Sequence, residues 1–223
     1  MCGLHAACVQ AGTNTTDMTA TIEFFFDCSS PWTYLGFHRI KPLAAEAGAT
    51  IRWKPILVGG VFNSVNPSVY AAREHPVPAK AAYQLKDMQD WARHCGLTIR
   101  FPPGVFPVNS VKAMRGCILL EPQGKLVPFA KAVFEAYWQD DQDISQDVVL
   151  RGVCERAGVD AEMLLAGIAR QEIKDQLKDN TEELIRRGGF GSPTIFLDAD
   201  DMYFGNDRMA LVRAALCKQG KPE

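Results

Sequence analysis

Three short stretches carry residue types that could hold an anionic sulfur and a peptide-like ligand. Ser30-Pro31 follows the run Thr21-Ile22-Glu23-Phe24-Phe25-Phe26. Serine accepts backbone N–H bonds as a helix N-cap, and proline fits the first helical position, so a helix should begin there. A helix N-terminus presents unpaired N–H groups and partial positive charge, which can hold a thiolate and lower a thiol pKa. The Ser30 hydroxyl could donate to such a thiolate; on this stretch alone a plain helix cap is the stronger reading. Gly191-Ser192-Pro193-Thr194 is the second stretch. A cis peptide before Pro193 would make a tight turn and leave the Ser192 N–H and C=O free to pair with an extended peptide. The other reading is a trans proline in a loop. Gly205-Asn206-Asp207-Arg208 is the third. At the start of a last helix its N–H groups could hold a carboxylate and Asp207 could pair with an amine; either Asn206 or Asp207 could instead be only the cap.

Residues so far apart need a scaffold that brings them to one place. The apolar, β-branched and aromatic run 21–26 reads as a buried strand. A helix follows to about Gly48, with a kink expected at Pro42, and residues 50–57 read as a second strand. This β-α-β opening calls for parallel strands with a right-handed crossover. Residues 58–79 hold Gly59, Gly60, Asn63, Asn66, Pro67, Pro76 and Pro78 and read as a loop. Helical segments are expected at 79–95, 109–120, 124–138, 145–157, 160–169 and 171–187. Strands at 194–197 and 202–204 form a hairpin across an acidic turn, and a final helix closes the chain. The fold class is therefore α/β: a thioredoxin-like sheet interrupted by an all-helical insertion. The expected division is a flexible tail at 1–19, a thioredoxin-like domain from 20–65 and 188–220, and a helical insertion at 66–187. In such a sheet the three stretches converge at one end. A ligand with a thiol, a peptide-like middle and an amino-acid head would suit them, and glutathione has those parts.

Bulk composition excludes several other classes. The 24 Lys and Arg against 26 Asp and Glu leave a net charge of -2 with no basic stripe, so nucleic acid is not an expected partner. No run approaches the roughly 18 apolar residues of a membrane span. The first residues lack the basic and apolar features of a secretory signal, and a cytoplasmic protein is expected. Seven cysteines stand at wide spacings with no Cys-x-x-Cys and no zinc pattern, so no metal is expected. Cys28 reads as a packed residue at a strand end, with a redox role as the alternative.

The run Phe25-Phe26-Asp27-Cys28-Ser29-Ser30-Pro31-Trp32-Thr33-Tyr34-Leu35 resembles the opening motif of 2-hydroxychromene-2-carboxylate isomerases and kappa-class glutathione transferases. So do Lys54-Pro55 with Gly59-Gly60, and Phe106-Pro107-Val108-Asn109-Ser110 before Ala113-Met114-Arg115. Phe190-Gly191-Ser192-Pro193-Thr194 with Phe204-Gly205-Asn206-Asp207-Arg208 completes the set, and the likeness spans about residues 20–218. The resemblance implies a DsbA-like branch of the thioredoxin fold, glutathione as cofactor and a homodimer. It implies Ser30 as the catalytic serine that contacts the glutathione sulfur. Ser192, before cis-Pro193, would pair with the cysteinyl unit, and Asn206 and Asp207 would bind the γ-glutamyl head. Asn66 is implied as a further glutathione contact and Lys80 as a basic residue near the glycyl carboxylate. Relatives often carry Leu where this chain has Ser29.

The implied reaction turns a cis alkene into a trans one in an aromatic keto acid, with glutathione as a recycled nucleophile. Asn109 could donate to the substrate as an oxyanion donor would. Lys54 and Arg115 are the other candidate substrate anchors. Phe62, Tyr83, Trp91, Phe106 and Trp138 offer aromatic surface or core. Three readings compete with the isomerase. One is a kappa-like glutathione transferase. Another is a thiol–disulfide oxidoreductase using Cys28, disfavoured because Ser30 and Thr33 stand where that class has cysteines. The last is a non-catalytic thioredoxin-like binding module.

Overall fold

A computed structural model of the protein describes residues 20–198 and 200–219. The expected tail, with Cys2 and Cys8, lies outside the described residues. Strand β1 (Thr21–Phe26) leads through helix α1 (Pro31–Ala47) to β2 (Thr50–Pro55). Eight helices follow: α2 (Val58–Val65), α3 (Ser68–Glu74), α4 (Pro78–His94), α5 (Val111–Leu120), α6 (Leu126–Phe134), α7 (Asp147–Ala157), α8 (Ala161–Gly167) and α9 (Gln171–Arg186). Strands β3 (Thr194–Leu197) and β4 (Asp201–Phe204) and helix α10 (Met209–Gln219) complete the order. The strands lie side by side as β2-β1-β3-β4. β1 and β2 are parallel, with Phe24 opposite Trp53. β3 runs antiparallel to β1, with Phe25 opposite Thr194, and β4 antiparallel to β3.

The apolar run of β1 is explained by burial on both faces of the sheet. Phe24 and Phe26 point to one side and pack with Phe37 of α1, Trp53 of β2 and, through Phe37, Phe134 of α6. Phe25 points the other way and meets Phe196, Ile56, Val61 and Leu184. Full burial of one such ring contributes roughly 1.5–3 kcal/mol. The first core is continuous from the sheet into α5, α6 and α7; Tyr137 and Trp138, just after α6, and Leu150 and Val153 of α7 are all buried. On the second face Arg187 lies 3.7 Å over Phe196 and pairs with Glu23 and Glu183 at 2.7 and 3.2 Å.

Sequence expectations and structure differ in three places. Residues 58–79 are not a loop but contain α2 and α3. Glycine and proline weigh against helix locally, yet tertiary contacts decide the outcome. The Val58 N–H is met by the Asp27 carboxylate at 2.9 Å, the Leu57 N–H by the Thr181 hydroxyl at 3.0 Å, and Val58 and Val61 are buried. Pro67 stands at the start of α3, where its missing N–H is no loss. The helix expected to 138 changes at Glu135 into a π turn over Glu135–Gln139. The last helix is entered through a 3-10 turn at Asn206–Arg208, and Gly205, not Asn206 or Asp207, stands at its cap position. Gly205 has φ 101°, a conformation L side chains rarely adopt.

Candidate functional site

Ser30 caps α1. Its Oγ accepts the Thr33 N–H at 3.2 Å, and its hydroxyl donates to the Ser192 carbonyl at 3.2 Å. The side chain is part-buried, at the end of β1 where the parallel strand gives way to the helix. Ser192-Pro193 is a cis peptide, entering β3 beside β1. Ser192 is fixed from two further directions. Its Oγ shares a 2.7 Å hydrogen bond with the Thr33 hydroxyl and accepts the Asp27 N–H at 3.1 Å. Gly36 lets α1 press close on this turn, because a Cβ there would stand 2.9 Å from Pro193 Cγ. The Pro193 carbonyl accepts the Gly205 N–H at 3.0 Å, which ties the third stretch to the second. The convergence expected from sequence is therefore present: Ser30, Ser192, Pro193 and the turn from Gly205 to Arg208 form one connected end of the sheet.

Asn206 is 3% exposed, and its Oδ1 is buried with no hydrogen-bond partner among the described residues. Its backbone carbonyl accepts from Arg39. Asp207 is exposed and pairs with Arg208. Asn66 reaches the same region from α2, its Nδ2 donating to the Phe190 carbonyl at 3.1 Å. Lys80 is exposed in the first turn of α4. Asn109 stands before α5 with Oδ1 accepting the Val111 N–H at 3.0 Å, which leaves its Nδ2 free among the described residues. Lys54 is drawn elsewhere: it lies on β2 opposite Phe25, and its ammonium is 2.8 Å from Glu183. Arg115 keeps a buried Nε with no hydrogen-bond partner among the described residues. Of the aromatic candidates, Trp138 is core and donates to the Cys28 carbonyl at 2.9 Å. Phe62 and Phe106 remain partly open, and Tyr83 is exposed.

One residue at the centre of this end was quoted in the sequence motif without a role. Asp27 is 1% exposed and ties several elements together. Its carboxylate accepts the Ser29 N–H and the Val58 N–H, each at 2.9 Å. Burial pushes its pKa up, opposed by the Ser29 and Val58 N–H groups and the Ser110 hydroxyl. The available signal was a lone carboxylate directly after an apolar strand, a position that demands partners. Cys28, next to it, is fully buried. Burial first, and then the neighbouring Cys117 thiol, push its pKa well up, so it is a neutral thiol at neutral pH.

A family model described as the DsbA-like thioredoxin domain matches residues 21–217. The chain belongs to this family. The human glutathione S-transferase kappa 1 is 29% identical over 206 residues, covering 86% of this chain and 88% of that protein. The 2-hydroxychromene-2-carboxylate isomerase of Pseudomonas putida is 28% identical over 204 residues, covering 89% and 96%. A solved structure of a 2-hydroxychromene-2-carboxylate isomerase superposes with a TM-score of 0.74 at 27% identity, covering 89% of this chain and 97% of that one. DsbA of Pseudomonas aeruginosa shares the fold, with a TM-score of 0.58 at 15% identity over 95% and 89% of the chains. The relatives in sequence are enzymes, one named for an isomerisation and one for glutathione transfer. Among the described residues no helix is long and apolar enough to cross a membrane.

Proposed function

We propose that this DsbA-like protein is a glutathione-dependent cis–trans isomerase of an aromatic keto acid, similar to 2-hydroxychromene-2-carboxylate isomerase. The observation that carries the reading is the Ser30 hydroxyl at the α1 N-terminus, 3.2 Å from the carbonyl of Ser192 before cis-Pro193. The residues present fit glutathione. The buried, unpartnered Asn206 Oδ1 is an acceptor in search of a donor such as the γ-glutamyl ammonium. Bound glutathione would supply a thiolate that adds to the conjugated double bond, permits rotation about it and leaves again.

The chain's own residues would do the rest. Ser30 would turn its hydroxyl from the Ser192 carbonyl to the sulfur. The α1 N–H groups would favour the charged form. Once released, the Ser192 carbonyl would accept a ligand N–H in strand fashion. Asn206 and Asp207 would hold the amino-acid head, Asn66 would support the opposite side, and Lys80 would face the glycyl carboxylate. Asn109 would offer its free Nδ2 to charge on the substrate's oxygen, and Arg115 would offer its Nε. Lys54 would serve as an anchor only by leaving Glu183.

The test is calorimetric titration with glutathione together with the ultraviolet thiolate absorbance of the bound thiol. Saturable binding is expected, with a thiolate signal near neutral pH that falls in Ser30→Ala. A folded wild-type protein that does not bind glutathione would remove this reading. Kappa transferase relatives favour a second reading, conjugation of glutathione to an electrophile. The two separate on the product: an isomerase returns glutathione unmodified, whereas a transferase consumes it.

A further inference from the structure

The isomerase reading assigns no exposed arginine to the substrate's acid group, and this inference rests on that reading and deepens it. Lys54 is committed to Glu183. Arg73, on α3, is differently placed. It is exposed, and among the described residues it makes no ion pair and no hydrogen bond. Its guanidinium carbon lies 5.3 Å from the ring centroid of Phe106, 5.9 Å from that of Phe62 and 6.0 Å from that of Tyr70. Phe62 belongs to α2, Tyr70 to α3 and Phe106 to the segment before α5. Phe62 borders the Ser192 loop, since a Cβ on Gly191 would stand 3.8 Å from its ring. Phe106 meets Phe101 edge-on at 5.3 Å, and Phe101 stacks at 6.4 Å on Trp138, whose indole binds the Cys28 carbonyl. Arg73 thus lies between a ring that borders the Ser192 loop and a ring linked through Phe101 and Trp138 to the Cys28 carbonyl, two residues before Ser30. Cation–π attraction holds the guanidinium against ring faces and leaves its planar fork of N–H donors unused. That fork matches the two oxygens of a carboxylate.

We infer that Arg73 is a specificity-determining residue: it binds the carboxylate of an aryl acid while Phe62 and Phe106 receive the aryl ring. A neutral aromatic compound would gain the rings without the cation, and an aliphatic acid the cation without the rings. The pairing of the two selects a substrate that carries both. Arginine differs here from lysine, because a point charge cannot lie flat on the rings and still grip two oxygens.

The probes are trans-2-hydroxycinnamate and its methyl ester, followed by quenching of tryptophan fluorescence with and without glutathione. Wild type is expected to bind the acid about tenfold or more tighter than the ester, the range of a charge-assisted hydrogen bond. In Arg73→Gln that preference should collapse while ester affinity stays unchanged, and Arg73→Lys should fall between. The assignment is overturned if wild type does not distinguish acid from ester, or if Arg73→Gln keeps the preference. Glutathione binding is recorded separately on the same proteins. Its failure would remove the isomerase reading, while the acid-to-ester ratio would still decide the role of Arg73.

Discussion

Residues 26–34, the floor of the candidate site, and residues 68–94, a side wall that touches it through Phe62 and Gly191, are built differently. Below, Asp27, Thr33 and Ser192 are buried and every one of their side chains is bonded to a neighbour across the fold. Along the side, α3 has no buried residue, and α4 has only Met88 and Ala92. Packing and satisfied hydrogen bonds make the floor stiff, because a buried polar group has no second arrangement of comparable energy. The side wall has few contacts to lose, which is where local opening is cheap. On the proposed reading, chemistry that needs a hydroxyl and a carbonyl in fixed relation would draw on the first, and discrimination among ring-bearing substrates on the second.

The contrast can be broken most severely at Trp138. Its ring is fully buried and its Nε1 holds the Cys28 carbonyl. Trp138→Ala should destabilise the protein by about 3–5 kcal/mol. In a chain of this size that lowers Tm by roughly 6–20 °C, read by calorimetry. A smaller break is Asp27→Asn, which puts an amide donor against one of two backbone N–H groups. About 1–3 kcal/mol should be lost. Wild type should also show a pH dependence that the variant lacks. Because burial raises the folded pKa of Asp27, the native state binds the proton more tightly than the unfolded state, whose value is about 3.9. Stability should therefore fall as pH rises from that value through the folded pKa, and denaturant titrations at several pH values check it.

Ser30→Ala comes next. Loss of the cap should cost about 1 kcal/mol, or roughly 2–4 °C in Tm. The larger change should be in the thiolate signal, a sign that the residue's role exceeds its contribution to folding. The smallest effect is expected on the wall. Tyr83 is 64% exposed, and Tyr83→Ser should alter stability by no more than about 0.5 kcal/mol. An effect on the scale of Asp27→Asn would mean that α4 is held as firmly as the floor, and the comparison would fail.

The same division explains what could be read from the sequence. β1 and β3 are legible because strands covered on both faces are largely apolar runs. Ser30-Pro31 and Ser192-Pro193 are legible because capping and the cis turn are local chemistry. α2 and α3 are not, since Gly59, Gly60 and Pro67 speak for a loop and the contrary vote comes from Asp27 and Thr181, distant in sequence. Asp27 itself has no local signature beyond its charge, as its partners lie on three different segments. Arg73 is an unremarkable exposed arginine in sequence; only the meeting of α2, α3 and the loop before α5 surrounds it with rings.

The hydrogen bond from Ser30 to Ser192 crosses 162 positions of sequence. During synthesis at ~5–20 residues per second, its two ends are made about 8–30 s apart. β1, α1, β2 and the helices that follow all leave the ribosome before the strand that completes the centre of the sheet. Contacts of such long sequence separation are among the slowest to form. A nascent chain interrupted before β3 would carry its capping serine and its aromatic wall and yet lack the carbonyl that faces them. On the proposed reading, ligand capture would be open only to chains that have been translated through to Asn206 and have closed the sheet.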